Sequence, residues 1–271
     1  MKDLKEKALQ IRINSIKITT RAGSGHPGGS LSAADIFAVL YFHVLKHDPK
    51  NPNWEGRDRF ILSAGHIAPG LYSAMAEAGY FPMEELDSLR KFQSRLQGHP
   101  SRVSLPGIET STGSLGQGIS VAIGMALGLR LKKSASKVYC LMGDGEQNEG
   151  EVWEAAQSAA HYKLDNLIGI VDWNQVQQDG RNENVMGIEP LKDKYEAFGW
   201  HAIVVDGNDI PKLLKAFEEA QKTRGNPSVI LAKTLMGRHV SFMEDKYEYH
   251  GKTLKPEEAQ KAIKELESNA G

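Results

Sequence analysis

Gly143-Asp144-Gly145 places a carboxylate between two glycines, just where the apolar run Val138-Tyr139-Cys140-Leu141-Met142 gives way to a helical stretch. Glycines at such a turn allow positive φ and close approach of the backbone to a bulky anion. The N-terminus of the following helix offers unpaired N–H groups that suit a phosphate. A carboxylate beside a phosphate repels it unless a cation lies between them, so Asp144 makes sense as a ligand to a hard divalent ion. Alone, the tripeptide is more often an ordinary Asp-Gly turn. Asn174 changes that balance. It follows 30 residues later at the end of the next β-rich run, and neighbouring parallel strands would bring both side chains to one rim. Its amide oxygen suits Mg²⁺ or Ca²⁺, and the Val176 carbonyl could supply a third protein oxygen, with phosphate oxygens and water completing an octahedron.

Elements that would position these residues alternate along the chain. Residues 3–20 read as an amphipathic helix with Leu4, Ala8, Ile11 and Ile18 at helical spacing. A Gly-rich loop is expected over 21–30, then an apolar helix over 33–44. Arg59 to Ser63 is a short strand candidate ending at Gly65-His66. Helices are expected over 70–79 and 83–93, the second after Pro82. Residues 116–133, rich in Gly and Ala, fit a helix packed closely on a sheet. Strands follow at 138–142, 166–171, 201–205 and 228–232, separated by helices over 151–161 and up to about 223, with a last helix near Pro256. This order predicts an α/β fold, a doubly wound parallel sheet with helices on both faces, forming a single domain over 1–271. The ligand site of such a sheet lies beyond the carboxyl ends of its strands. Gly65-His66, Asp144 and Asn174 sit at such ends, and Asp206 less surely.

The 271 residues suffice for a substantial core, and 33 basic against 34 acidic side chains give a formal net charge of −1. No global field favours nucleic acid or an anionic membrane, so an anionic ligand must be held by local groups. The single cysteine, Cys140, excludes an internal disulfide and reads as a buried core thiol. The N-terminus lacks the apolar segment of a signal peptide, and no stretch approaches the roughly 20 apolar residues that span a bilayer. A cytoplasmic protein is expected.

Six ordered motifs carry a resemblance to transketolases. Residues 143–150 with Asp172-Trp173-Asn174 resemble the diphosphate-binding motif of thiamine diphosphate enzymes. Residues 21–28 resemble the first histidine loop of transketolases, Leu62 to His66 the second, and Gly98-His99-Pro100 the third. Residues 112–118 are similar to the cofactor-contacting glycine loop, and Tyr249-His250-Gly251 to a late histidine site. The resemblance implies that Asp144, Asn174 and the Val176 carbonyl bind the metal, and that Gly143 and Gly145 flank the cofactor's diphosphate. It implies that His66 and His250 contact the diphosphate and the sugar near the reacting carbon, and that His26 and His99 hold substrate hydroxyls and help move protons. Histidine suits that chemistry because its proton exchanges near neutral pH. Gly113, Ser114 and Leu115 would line the cofactor, and Glu149 with Glu154 would form an acidic pair at a subunit interface. Their alternative is an ordinary exposed helix charge. His43, His47, His161, His201 and His239 are read as surface or core histidines.

Transketolases of this kind are usually longer, with a pyrimidine-binding domain and a C-terminal domain after the diphosphate-binding domain. The activating glutamate and the residues that hold the sugar phosphate lie in the pyrimidine-binding domain. The resemblance therefore implies a partner chain, a transketolase C-terminal subunit, in a dimer of heterodimers. The terminal helix and the residues 269–271 read as a natural end. The expected reaction moves a two-carbon ketol unit from a ketose phosphate of the xylulose 5-phosphate type to an aldose phosphate, as in the pentose phosphate pathway. Ser114, where many long transketolases carry Pro, and Gly28-Gly29-Ser30 resemble split forms and deoxyxylulose phosphate synthases, and bear on sugar specificity. Two other readings compete. The α subunit of a 2-oxoacid dehydrogenase shares the GDG…N pattern but does not predict the four histidines. A non-catalytic scaffold would have no need of Asp144 and Asn174. Generic dinucleotide binding fails, since no Gly-x-Gly-x-x-Gly opens a first βα turn.

Overall fold

The computed structural model describes residues 1–268; residues 269–271, read above as the chain's natural end, lie outside the described residues. The longer strands form where β-branched and other apolar residues cluster: β1 (Arg59–Leu62), β2 (Val138–Gly143), β3 (Leu167–Trp173), β6 (His201–Asp206) and β7 (Ser228–Lys233), with the short pair β4 (Val176–Gln177) and β5 (Gly180–Arg181) between β3 and β6. Five of them build one sheet in the order β1-β2-β3-β7-β6, all parallel, while β4 and β5 form an antiparallel hairpin. The helices are α1 (Lys2–Ala22), α2 (Pro27–Ser32), α3 (Ala34–Val39), α4 (Ala68–Ala78), α5 (Gln117–Leu131), α6 (Gly150–His161), α7 (Asn182–Val185), α8 (Leu191–Ala197), α9 (Ile210–Lys222) and α10 (Pro256–Ser268).

Alternation along the strands divides the core between two faces. Tyr139, Leu141, Ile168, Ile170 and Ile230 pack with Ile11, Phe37, Leu71 and Phe217, from α1, α3, α4 and α9. Val138, Cys140, Met142, Leu167 and Leu231 pack with Ile123, Ala156 and Tyr195, from α5, α6 and α8. The doubly wound sheet with helices on both faces is therefore what forms, and Cys140 is a buried core thiol as expected. A third cluster joins α10 to α1 through Ile13, Ile16, Ala262 and Leu266. Among the described residues no helix is long and apolar enough to cross a membrane.

Two expected elements differ. The helix expected over 83–93 is only a 3-10 turn, Met83–Ser88. Arg90 and Gln93 take φ of 59° and 62°, which an α-helix of L-residues does not continue. The chain doubles back there, with the Arg90 N–H donating to the Leu96 carbonyl at 2.9 Å and its guanidinium donating to Ser24 Oγ at 2.7 Å. The loop expected over 21–30 ends early, because Pro27 begins α2 at its first turn. Gly28 lies in that helix for reasons of space: a Cβ there would lie 2.7 Å from the Tyr249 carbonyl oxygen.

Candidate functional site

All five strands of the sheet run the same way, so their carboxyl ends share one rim. β1 delivers Ser63 and the Gly65-His66 turn, β2 delivers Asp144, and β3 delivers Asp172 and Asn174, with Gly143 paired to Asp172 in register. The small residues of α2 let His26 approach the turn that carries His250.

Three of the four predicted histidines meet. The ring centroids of His26 and His66 are 5.1 Å apart, those of His26 and His250 5.7 Å, and those of His66 and His250 5.2 Å. His99 belongs to the same group through the glycine loop. A Cβ on Gly113, whose φ is 146°, would stand 3.1 Å from the His99 ring. Burial, then His250, Arg90 and His99, pushes His26 down to about 4. Burial, then His250, His26 and His99, holds His66 well below its ordinary value. Burial, then Arg90, lowers His99, and burial lowers His250 against the opposing pull of Asp179. Four neutral imidazoles result near pH 7, each with one donor and one acceptor nitrogen. His26 Nδ1, His250 Nδ1 and Thr112 Oγ1 are buried without a hydrogen-bond partner among the described residues. Buried polar atoms of this kind suit a polar ligand.

The oxygen donors gather at the ends of β2 and β3. Asp144 is 2% exposed. One of its oxygens accepts the Gly145 N–H at 2.7 Å and the other accepts the Gln175 N–H. Burial, then the nearby Asp172, pushes Asp144 up to about 7. Asn174 Oδ1 accepts the Val176 N–H at 3.0 Å, and its Nδ2 donates to Asp172 at 3.0 Å. Val176 opens the β4–β5 hairpin and is buried. Asp144 and Asn174 thus bring a carboxylate and an amide oxygen to adjacent strand ends, oxygen chemistry of the kind a hard divalent cation takes, and the expected third ligand, the Val176 carbonyl, belongs to the hairpin that follows. The partners of Asp144 and Asp172 are N–H and O–H donors, and a cation would supply the positive charge these two carboxylates lack. No cluster of three or more His, Cys, Asp or Glu able to hold a metal occurs among the described residues.

Gly113 and Gly116, at φ of 146° and 84°, shape the glycine loop. Ser114 in it is exposed and Leu115 half-buried. Glu149 and Glu154 are exposed, Glu149 with its Cβ against Gly116. Of the histidines read as ordinary, His47 stacks on Tyr80, His161 packs edge-on against Tyr162, and His201 pairs with Glu219 at the surface. A cavity of about 540 Å³, lined by Lys5, Arg12, Asp35, Asn208 and His239 among others, takes in Asp206, the less sure of the strand-end candidates, and none of the residues to which the resemblance gives a role.

Three residues near the site, two of them inside the quoted motifs, were given no role by the sequence. Asp172 is buried and accepts from Ser32 Oγ at 2.6 Å, from Thr234 Oγ1 and from Asn174; a carboxylate directly after an apolar run was its signal. Glu146 is buried beside Asp144. Arg90 was hidden by the helical reading of its segment.

Two expected results follow. Gly28→Ala would force α2 away from the Tyr249 carbonyl, costing about 1–3 kcal/mol by overpacking and weakening ligand binding at the His26–His250 contact. Denaturant unfolding checks the first effect, and an unchanged midpoint contradicts it. The second concerns pH. His26 titrates near 4 folded and near 6.5 unfolded, so the unfolded chain takes up the proton first as pH falls. Its contribution is intact above pH 6.5 and is lost between 6.5 and about 4, on the order of 2–3 kcal/mol. Asp144, raised to about 7, titrates in the opposite sense, so the test is the difference between wild type and His26→Asn. Urea midpoints at pH 7.5 and 5 should fall less in the variant; equal losses contradict this assignment.

A parallel sheet with an oxygen-donor set and neutral histidines along one rim defines an α/β domain built to hold a polar, anionic ligand. The chain belongs to the transketolase family: residues 4–270 match the model of the transketolase, thiamine diphosphate binding domain. It is 43% identical over 265 residues to the 6-deoxy-6-sulfo-D-fructose transketolase subunit SqwG of Clostridium sp. (strain MSTE9), covering 98% of this chain and 96% of that one. It is 46% identical to the transketolase of Homo sapiens, covering 98% of this chain but 42% of that one. The transketolase structure from Campylobacter jejuni superposes with a TM-score of 0.93 at 36% identity, covering 98% of this chain and 43% of that one. The chain thus spans less than half of full-length transketolases and nearly all of a transketolase subunit.

Proposed function

We propose that this chain is the thiamine diphosphate- and metal-binding component of a two-chain transketolase that moves a ketol unit between sugar phosphates. The observation that carries the reading is the meeting of His26, His66 and His250 at 5.1–5.7 Å, on the same strand rim as Asp144 and Asn174. Asp144, Asn174 and the Val176 carbonyl would hold Mg²⁺, or Ca²⁺, and through it the diphosphate. Gly143, Gly145, Gly113, Ser114, Leu115 and Glu149 would border the cofactor. Bound thiamine diphosphate supplies an electron sink for the transferred two-carbon unit.

The chain's own contribution is binding and proton handling. Neutral His26 and His99 can donate to one sugar hydroxyl while accepting from another, and can take or return a hydroxyl proton. His66 and His250, stacked at 30°, would offer donors beside the diphosphate and the reacting carbon. A partner chain carrying the pyrimidine-binding domain, in a dimer of heterodimers, would supply the activating carboxylate and the groups that hold the sugar's anionic end. The coverage of full-length transketolases and of the subunit supports this division. The setting proposed is cytoplasmic sugar phosphate metabolism.

A second donor is favoured by one finding, the 43% identity to a subunit named for 6-deoxy-6-sulfo-D-fructose. A sulfonate replaces the phosphate in that sugar, and the difference would be read by the partner. Ketol transfer by the reconstituted pair should be assayed with xylulose 5-phosphate and with the sulfosugar. Turnover of the phosphate donor is the expected result. Turnover of the sulfosugar alone overturns the substrate proposed, and turnover of neither by an assembled, cofactor-loaded pair overturns the reaction.

A further inference from the structure

Glu146 is 1% exposed and has no oppositely charged partner among the described residues. One of its oxygens accepts from Ser63 Oγ and from the Gly116 N–H at 2.8 Å; the other accepts from the Gly143 N–H at 2.9 Å. These three donors belong to three separate segments of the rim. Ser63 closes β1 and leads into Gly65-His66. Gly116 ends the glycine loop that contains Gly113, Ser114 and Leu115. Gly143 ends β2 directly before Asp144. The next residue, Gln147, holds the same strand end from the other side, its Nε2 donating to the Gly143 carbonyl at 2.9 Å while its Oε1 accepts from the Tyr195 hydroxyl at 2.7 Å.

We propose that Glu146 is a positioning residue that locks the second histidine turn, the glycine loop and the Asp144 turn into one spatial register. The proposal rests on the reading of those segments as the thiamine diphosphate site. Only a carboxylate satisfies all three donors. An amide in its place has one oxygen, and its NH₂ must then face either the Gly143 N–H or the Gly116 N–H. The Ser63 hydroxyl can rotate to accept, but neither backbone N–H can reverse. One backbone donor therefore loses its acceptor, and its segment shifts or stays unpaired.

Asp58 provides the contrast. It too is a buried carboxylate on backbone donors, accepting the Lys46 N–H at 3.0 Å and the Lys137 N–H at 2.8 Å. It sits at the opposite end of the sheet, before β1 and β2 begin. The test measures thiamine diphosphate affinity in Mg²⁺, and amide exchange at Gly116 and Gly143, for the full chain and its E146Q, E146A and D58N variants. E146Q should keep the fold, exchange faster at one of those amides, and bind the cofactor roughly tenfold more weakly. E146A should lose more. D58N should lower the unfolding midpoint and leave affinity unchanged. Wild-type affinity in E146Q, or an equal loss in D58N, overturns the positioning role while leaving the site's identity standing. A wild-type chain that takes up no thiamine diphosphate overturns the reading of the site itself.

Discussion

Asp144→Ala is expected to lower the affinity for thiamine diphosphate in Mg²⁺ by at least roughly 100-fold, since loss of a partner behind a metal ligand already costs about 10–100-fold. The reason lies in the surroundings of this carboxylate. It is 2% exposed, accepts two backbone N–H groups, and shares its burial with Asp172. Burial and that neighbour push it up to about 7, so the apo chain holds its negative charge at a disadvantage that a divalent cation removes. Calorimetric titration with cofactor, in Mg²⁺ and in chelator, reads the effect. The variant should resemble wild type in chelator. Unchanged, metal-dependent affinity in the variant would remove Asp144 from the ligand set.

The largest expected effect on stability lies behind the site. Arg12 on α1 and Asp35 on α3 form an ion pair at 2.5 Å with side chains 4% and 8% exposed. Arg12 Nε also donates to the Leu31 carbonyl of α2, and Asn208 Nδ2 donates to Asp35 at 2.9 Å. Asp35→Ala leaves a guanidinium buried without its counter-charge and is expected to cost about 3–5 kcal/mol. Replacing both partners with apolar residues of similar volume should restore most of that loss. Chemical denaturation of the single and double variants checks it; a double variant no more stable than the single one contradicts the desolvation account. Because the pair fastens α3 to α1 and holds the guanidinium that donates to the Leu31 carbonyl of α2, the single variant should also loosen the helix that begins beside His26.

The parts of the fold that were legible in the sequence are those written in local pattern. Strands β2, β3 and β7 are apolar runs buried on both faces; β2 ends at Gly143, β7 at Lys233, and β3 runs out through Asp172 and Trp173 to Asn174, so polar or glycine residues mark the rim. The Asp144 and Asn174 positions follow from that, because adjacent parallel strands must end together. The histidines were legible only through resemblance, since no spacing along the chain brings His26, His66 and His250 together; the meeting is made by α2, the β1 turn and the turn before His250. Other features escaped because their cause is tertiary. Arg90 sits in a segment with helical spacing, yet its guanidinium reaches Ser24 and its backbone turns left-handed to do so. Glu146 reads as one more acidic residue at a helix start, and only the folded chain shows Ser63 and Gly116, from two segments distant in sequence, donating to it beside its neighbour Gly143. The pairing of Arg12 with Asp35 spans two helices and leaves no trace in either one's periodicity.

The proposed division of labour between two chains is tested most directly by exchange of the cofactor's thiazolium C2 proton for deuterium. It is measured with thiamine diphosphate bound to this chain in Mg²⁺, before and after addition of a chain carrying the pyrimidine-binding domain. The chain alone should bind the cofactor yet leave the exchange rate near that of free thiamine diphosphate, and the partner should accelerate it. Rapid exchange, together with full ketol transfer, by the isolated chain would contradict the account.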